Sequence, residues 1–258
     1  MTKKTAETIL LPAGLGILVV ILLQLQIIHK AFGFNLLQLP LPSQVISAII
    51  ESFGKICSDA VVTMAPSLTG MAIGLLIGYG VALFVTMCPG WGYGSMIIMT
   101  LINSIPIVAL APLMNRWFET DFYAKLVVII VASSGAMAVN AYQGLNSPST
   151  GLLEFMRISN ASKRDVMTKV LIPGSIPQVF TSIKIVIPVA MLAAIISEFF
   201  ASGTSGLGYM IKYSLKVGNQ KHIGWAYIVA VSLISIVIYL IVCQIEKRAL
   251  KWHVSQKI

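Results

Sequence analysis

The stretch of chain between Asp59 and Arg116 contains no Asp, Glu, Lys or Arg. A soluble fold could not cover so long an uncharged stretch with polar surface. Across the 258 residues, 57% are hydrophobic and only 10% are charged, whereas soluble domains average about 25% charged residues. The chain is therefore predicted to cross a lipid bilayer several times. Because apolar blocks recur from end to end, residues 1–258 are predicted to form one membrane-embedded domain.

Six segments are long and apolar enough to span a membrane. A spanning helix needs about 20 mainly apolar residues, because its backbone must be hydrogen-bonded internally where water is absent. The fold class is therefore predicted to be all-α, a bundle of six transmembrane helices. Residues 89–94 are predicted to form a tight turn, and residues 43–58 an amphipathic helix at the membrane interface. The predicted spans are roughly 9–28, 61–87, 93–113, 126–146, 176–200 and 223–245.

The basic residues indicate an orientation in the bilayer. They form no continuous basic face, so nucleic acid is not predicted as a partner, whereas the lipid bilayer is. With the N-terminus cytoplasmic, ten Lys and Arg residues fall inside and seven outside, the expected sign of bias. Both termini and the loop 147–173 are then predicted to be cytoplasmic. The predicted outside residues are Lys30, Lys55, Arg116, Lys125, Lys212, Lys216 and Lys221.

The loop 147–173 is predicted to contain two short helices, at 151–159 and 163–172, joined by a corner. Asn160 tolerates the left-handed conformation that closes a helix, and Ser162 with Asp165 resembles a capping box. Pro173 is predicted to restart the chain as the fifth span. The loop also carries exposed apolar side chains, which need either a protein partner or the membrane surface to cover them. They are Leu152, Leu153, Phe155 and Met156.

Polar and small residues within the spans carry further expectations. Lys184 and Glu198 are the only clear ionisable residues there. Lys184 is expected to reach the inner interface, and Glu198 either to pack against the following glycine-rich loop or to line a path. Three glycines of the second span predict close approach of another helix, two asparagines predict interhelical hydrogen bonds, and three prolines interrupt spans. The glycines are Gly70, Gly74 and Gly78, the asparagines are Asn103 and Asn140, and the prolines are Pro106, Pro112 and Pro188.

No catalytic or metal-binding pattern is present in the sequence. There is no G-x-x-x-x-G-K-[ST] phosphate loop, since Gly54-Lys55 lacks the upstream glycine. His29, His222 and His253 lie at three separate span ends without accompanying carboxylates or cysteines. The chain is therefore predicted not to be an enzyme.

Residues 153–162 (LEFMRISNAS), followed by 170–177 (VLIPGSIP), resemble the EAA motif of ABC importer permeases. In that family the motif forms a coupling helix that docks into a groove of the ATPase subunit. Met156 stands where Ala is usual, and Asn160 where Gly is usual. The ATPase-coupling residues that the resemblance implies are Leu153, Glu154, Phe155, Met156, Arg157, Asn160, Ala161 and Ser162.

The resemblance extends over residues 36–252 and is greatest to the nitrate, sulfonate and taurine branch of these permeases. It rests on the segments 39–45 (LPLPSQV), 105–113 (IPIVALAPL), 197–199 (SEF) and 205–209 (SGLGY). The residues it implies for a translocation path or gate are Pro106, Ala109, Asn140, Glu198, Gly206, Leu207 and Gly208.

The resemblance implies a type I ABC importer permease fold in the bacterial cytoplasmic (inner) membrane. Its expected partners are two cytoplasmic ABC ATPase subunits, an external solute-binding protein, and a second permease copy or paralogue, with a homodimer favoured. ATP and Mg would be bound by the ATPase subunits and no cofactor by this chain. The expected solute is a small anion such as a sulfonate, taurine or nitrate, or a vitamin or pyrimidine precursor. A stand-alone secondary transporter and a non-transporting membrane scaffold remain alternatives.

Overall fold

The computed structural model describes residues 3–36, 38–217 and 220–251. Regular structure in these ranges is helical throughout, which confirms the all-α class. A π-helical turn at Met167–Leu171 joins α9 to α10. The helices are α1 (Lys3–Gln24), α2 (Ile27–Phe32), α3 (Pro42–Glu51), α4 (Phe53–Met87), α5 (Pro89–Asn103), α6 (Ile107–Trp117), α7 (Asp121–Leu145), α8 (Thr150–Ile158), α9 (Lys163–Val166), α10 (Ile172–Phe200), α11 (Leu207–Lys216) and α12 (Lys221–Ala249).

Four helical segments of the described chain are long and apolar enough to cross a membrane. They are α4, α7, the continuous segment Lys163–Phe200, and α12. A fifth span results if α5 and α6 are counted as one broken helix, and Gly14–Gln24 of α1 is a shorter apolar helix. The membrane bundle is thus confirmed, while the number of six spans stays a prediction.

The predicted third span is not one continuous helix. The segments Gly94–Asn103 and Ile107–Trp117 are bent by 89° relative to each other at the break before Pro106. Proline has no N–H to donate and its ring obstructs the preceding turn, so the helix ends there. The predicted tight turn at 89–94 is wrong as well. Only Cys88 separates α4 from α5, and α5 begins at Pro89. A helix can begin at a proline, because the first helical position does not need an N–H to donate.

The segment Lys163–Phe200 corrects a second expectation. Pro173 does not restart a span, since helix runs through it from Lys163. The π-helical turn accommodates this proline: the N–H of Ile172 donates to the carbonyl of Met167, five residues back, which widens the helix just before Pro173. With 38 residues the segment is about 57 Å long, so its first turns project beyond a hydrocarbon core of about 30 Å.

The chain divides into two compact units, and the first comprises Met1–Asp59 and Met210–Ala230. In this unit Gln24 at the end of α1 hydrogen-bonds the backbone and hydroxyl of Ser43 in α3. The hydroxyl of Tyr227 donates to Asp59, which is 3% exposed, over 2.9 Å. The interfacial helix predicted at 43–58 is shorter than expected, because α3 ends at Glu51 and α4 begins at Phe53.

The second unit comprises Ala60–Tyr209 and Val231–Ile258. Its core is formed by small and aliphatic side chains of α6, α7 and α10, such as Ala111, Ile129 and Ala193. The predicted close approach at the glycines of α4 is confirmed, and the neighbouring helix is α7. A Cβ atom at Gly74 would lie 2.7 Å from the Cβ of Ser133, which only glycine avoids.

Candidate functional site

The helix α8 presents apolar side chains away from the rest of its unit. Phe155 is 63% exposed and Ile158 is 86% exposed, and no residue of α8 is buried. Residues three apart on a helix share a face, so these two side chains form one apolar surface, with Glu154 beside it. Leu153 and Arg157 lie on the opposite face and line a pocket against the neighbouring helices.

The corner after α8 is fixed by backbone hydrogen bonds. Asn160 has a left-handed conformation with φ of 53°, as predicted. The N–H of Asn160 donates to the carbonyl of Arg157 over 3.1 Å, and that of Ala161 to the carbonyl of Met156 over 3.0 Å. These two bonds are the pattern of a Schellman motif, which satisfies the last carbonyls of the helix. The direction in which the chain leaves α8 is therefore specified.

The next helix begins at the predicted cap. The hydroxyl of Ser162 accepts the backbone N–H of Asp165 over 3.1 Å and donates to its carboxylate over 2.5 Å. Hydrogen bonds from Lys169 and Ser162 lower the pKa of Asp165 to about 2, so this carboxylate is charged at neutral pH. The cap and the Schellman motif together hold α8 in one position relative to α9.

A second cluster surrounds Glu198, which is 1% exposed. Its carboxylate accepts hydrogen bonds from Lys125 Nζ at 3.0 Å, from Thr63 Oγ1 at 2.9 Å and from the N–H of Gly208 at 2.7 Å. Thr63 Oγ1 in turn accepts the N–H of Leu207 over 2.9 Å. A buried charge is tolerated when it is paired and hydrogen-bonded, as here. The cluster joins α4, α7, α10 and the start of α11.

Glycine is required on the loop side of this cluster. Gly206 has φ of 116°, and a Cβ there would lie 2.7 Å from the Glu198 carboxylate. A Cβ at Gly208 would lie 3.0 Å from the Cβ of Glu198 and 2.8 Å from the carbonyl of Ile195. The glycine-rich loop therefore closes directly over the carboxylate, which is the packing arrangement considered for Glu198 from the sequence.

Two ionisable residues do not lie where the sequence predicted them. Lys125 was counted as an outer loop residue, yet it is 3% exposed and paired with Glu198. Asp59 is also buried within a helix, so Lys184 and Glu198 are not the only ionisable residues inside spans. Lys125 was predicted to lie outside because it is near the end of an apolar run, where charge is ordinarily solvated.

Lys184 forms an ion pair near the end of α12, a contact that the sequence did not reveal. Its Nζ atom lies 2.8 Å from Oε2 and 2.9 Å from Oε1 of Glu246, so the charge is neutralised inside the second unit. The pair joins α10 to α12.

The remaining predicted path residues lie outside these clusters. Pro106 and Ala109 are exposed at the bend between α5 and α6. Asn140 donates to the carbonyl of Ala136 in its own helix over 2.8 Å, so its predicted interhelical bond is not present. Asn115 makes such a bond instead, since it donates to the carbonyl of Ser197 in α10 over 3.0 Å.

Sequence reasoning missed three residues of these clusters. Ile158 belongs to the apolar face of α8, and its spacing of three from Phe155 could have revealed it. Thr63 and Lys125 are separated from Glu198 by 135 and 73 positions, and no local pattern links them. Within the described ranges, no group of three or more His, Cys, Asp or Glu side chains could hold a metal ion.

Comparison with known proteins decides the family. The family described as "Binding-protein-dependent transport system inner membrane component" matches residues 74–251, more than half of the chain. The chain belongs to this family. It is a multi-pass membrane permease subunit of a binding-protein-dependent ABC importer, a transport component and not an enzyme.

Individual relatives have low sequence identity to this permease, but the matches cover most of each chain. It is 24% identical over 219 residues to the formylaminopyrimidine transport permease protein ThiX of Halalkalibacterium halodurans, covering 84% of this chain and 87% of that one. It is 26% identical over 222 residues to the taurine transport system permease protein TauC of Escherichia coli, covering 83% and 80%. These relatives agree with the sulfonate, taurine and nitrate branch expected from the sequence.

Solved structures show the fold of the permease. A chain of the MetNI methionine ABC transporter in an inward-facing conformation superposes with a TM-score of 0.68 at 19% identity, covering 77% of this chain and 98% of that chain. The predicted type I ABC importer permease fold is confirmed.

Proposed function

We propose that α8 and the corner at Asn160 couple this permease to a cytoplasmic ABC ATPase subunit. The observation that carries the proposal is the apolar face of Phe155 and Ile158, exposed on a helix whose far end is fixed by a Schellman motif and a Ser162 cap. A loop lying passively on a membrane has no need of so rigid an attachment. A helix that transmits movement does, because a flexible joint would absorb the displacement.

The proposed assembly contains two ATPase subunits, an external solute-binding protein and two permeases, of which a homodimer is the simplest form. ATP and Mg would be bound and hydrolysed on the ATPase subunits, since this chain carries no phosphate loop. Closure of the ATPases would push on α8, and the projecting part of Lys163–Phe200 would carry that displacement into the membrane.

The orientation follows from the same proposal. Both termini and the loop 147–173 would be cytoplasmic, and the loop 201–206 external. Removing the buried Lys125 from the seven outer basic residues leaves six against ten inside, so the charge bias is stronger than the sequence count indicated.

For the translocation path we propose the bend at Pro106 and Ala109, the half-buried Asn140, and the Glu198 cluster with Gly206, Leu207 and Gly208. The helix break supports the first part, because interrupted helices in transporters line cavities. The cluster would act as a gate on the outer side, since it holds the glycine-rich loop closed over α10.

The proposed cargo is a small solute: an anion such as a sulfonate, taurine or nitrate, or a vitamin or pyrimidine precursor. Relatives named for taurine and for formylaminopyrimidine transport support this range. Uptake measured with the cognate binding protein and a panel of these solutes would identify the one carried.

Affinity purification of the full chain from its native membranes tests the coupling proposal. We expect an ATP-hydrolysing subunit to co-purify, and a Phe155→Cys variant of a chain whose native cysteines are replaced by alanine to cross-link to it. A Thr204→Cys variant, exposed on the opposite loop, is the matched control and should not cross-link. A secondary transporter would move solute in proteoliposomes without ATP. A scaffold would move none even with ATP, the ATPase subunits and the binding protein present. Either result would refute the proposal.

A further inference from the structure

A pocket of about 630 Å³ lies on the inner side of α8, within the second unit. The end of α4 contributes Met87, α8 contributes Leu153 and Arg157, and the segment 163–171 contributes Lys163, Arg164 and Leu171. Most of its wall is apolar. The basic side chains are gathered on the side formed by α8 and the start of α9.

The charges of this pocket are not balanced by the protein. No acidic side chain is among the described residues that line it. Asp165 is close in sequence but is paired with Lys169 over 2.6 Å. In the described part of the chain, no ion pair joins Arg157, Lys163 or Arg164 to an acidic residue. Three cations around an apolar wall require an occupant that carries an anionic group and an apolar part.

The position of the pocket narrows the choice of occupant. Met87 is the last residue of the membrane-spanning α4, and Leu171 precedes the apolar part of α10. The pocket therefore lies at one end of the membrane-spanning helices. Basic pockets between transmembrane helices at this depth bind anionic lipid headgroups, and the volume is in the range of pockets that enclose a small ligand.

We propose that this pocket binds an anionic phospholipid, with its phosphate against Arg157, Lys163 and Arg164 and its first acyl carbons against Met87 and Leu171. The bound lipid supports α8 from behind while the Phe155 face remains free for a partner. The assignment of this lipid to the cytoplasmic leaflet rests on the proposed function; the binding itself does not.

Native mass spectrometry of the full-length chain in detergent, titrated with phosphatidylglycerol or phosphatidylcholine, tests the proposal. We expect selective retention of phosphatidylglycerol. The variant Lys163→Gln/Arg164→Gln should bind it roughly 30-fold more weakly, since each basic residue near an anionic membrane surface is worth about fivefold in affinity. The matched control, Lys247→Gln/Arg248→Gln, removes the same charge at the end of α12 and should retain the lipid.

A second variant preserves both charges. Thr168→Trp places a bulky ring in the pocket from an exposed lining position and should also reduce phosphatidylglycerol retention. If the charge variant fails to fold, this variant decides the question alone.

Two results with the lipids would overturn the proposal: equal retention of both lipids by the unaltered chain, or a loss of phosphatidylglycerol retention in the pocket variants no greater than in the control. Two competition results would also overturn it: displacement of the lipid by millimolar inorganic phosphate, or displacement of the lipid by purified ATPase subunit. The last two would assign the pocket to a free anion or to the ATPase interface. Because lipid binding is measured without the ATPase, a chain that binds lipid but captures no ATPase would refute only the coupling proposal.

Discussion

Removing one charge from the Lys125–Glu198 pair should destabilise the permease far more than removing both. In Lys125→Met the carboxylate keeps its bonds from Thr63 and Gly208 but loses its counter-ion in a site that is 1% exposed. Breaking a buried pair from one side costs about 3–5 kcal/mol, because an uncompensated charge remains. Glu198→Gln should cost a similar amount, since it leaves the Lys125 ammonium unpaired.

The double variant Lys125→Met/Glu198→Gln leaves no charge in this cluster, and the amide oxygen of the introduced glutamine can still accept the Gly208 N–H. We expect it to be destabilised by only about 1–2 kcal/mol, because replacing both partners of a buried pair is often nearly neutral. The two single changes should therefore not add.

Thermal unfolding in detergent, followed by intrinsic tryptophan fluorescence, measures these effects. A loss of about 3–5 kcal/mol corresponds to a fall in Tm of about 6–20 °C for a chain of this size. A single variant that unfolds within about 2 °C of the unaltered chain would show that the pair is not a buried ion pair. A double variant as unstable as the sum of the singles would show the same.

Three further changes test local features of the fold by the same assay. Gly78→Ala should destabilise the permease by about 1–3 kcal/mol, because its Cβ would overlap the carbonyl of Ser134 in α7. Gly80→Ala is the control and should stabilise slightly, because a Cβ there meets nothing within 4 Å. Equal effects of the two changes would contradict the packing of α4 against α7. Asn160→Gly should leave the stability nearly unchanged. Asn160→Val should lower the stability by about 1–2 kcal/mol and weaken ATPase capture, because a β-branched residue is strained at φ of 53°. A double-mutant cycle on Lys184 and Glu246 should give a coupling energy of about 1 kcal/mol, because their side chains are 22% and 17% exposed. A coupling energy as large as that of the buried Lys125–Glu198 pair would be inconsistent with this exposure.

The features predicted well from the sequence are those set by neighbouring residues. Four of the six predicted spans depend on apolar length alone. The α8 corner depends on the preferences of Asn160 and Ser162, and the glycine face of α4 on a spacing of four. Each requires knowledge of only one helix or one turn.

The features that were missed depend on residues distant in sequence or on a local rule overridden by its surroundings. The partner of Glu198 could not be found, because Lys125 lies 73 positions away and resembles a solvated loop residue. Pro173 was expected to break a helix, and the π-helical turn that accommodates it has no recognised sequence pattern. The path residues Pro106 and Asn140 were assigned by resemblance alone, which carries no information on their contacts.

Co-purification of the ATPase with a variant of the α8 face tests the central claim most directly. Phe155→Asp/Ile158→Asp would bury two charges in a docking groove, at a cost of several kcal/mol, while both positions are exposed in the permease itself. A control with two aspartates at the exposed loop positions Ser202 and Thr204 adds the same charge away from α8. We expect the α8 variant to keep its Tm and lose both the ATPase and solute uptake, while the control keeps the ATPase. Retention of the ATPase and of full uptake by the folded α8 variant would contradict the account.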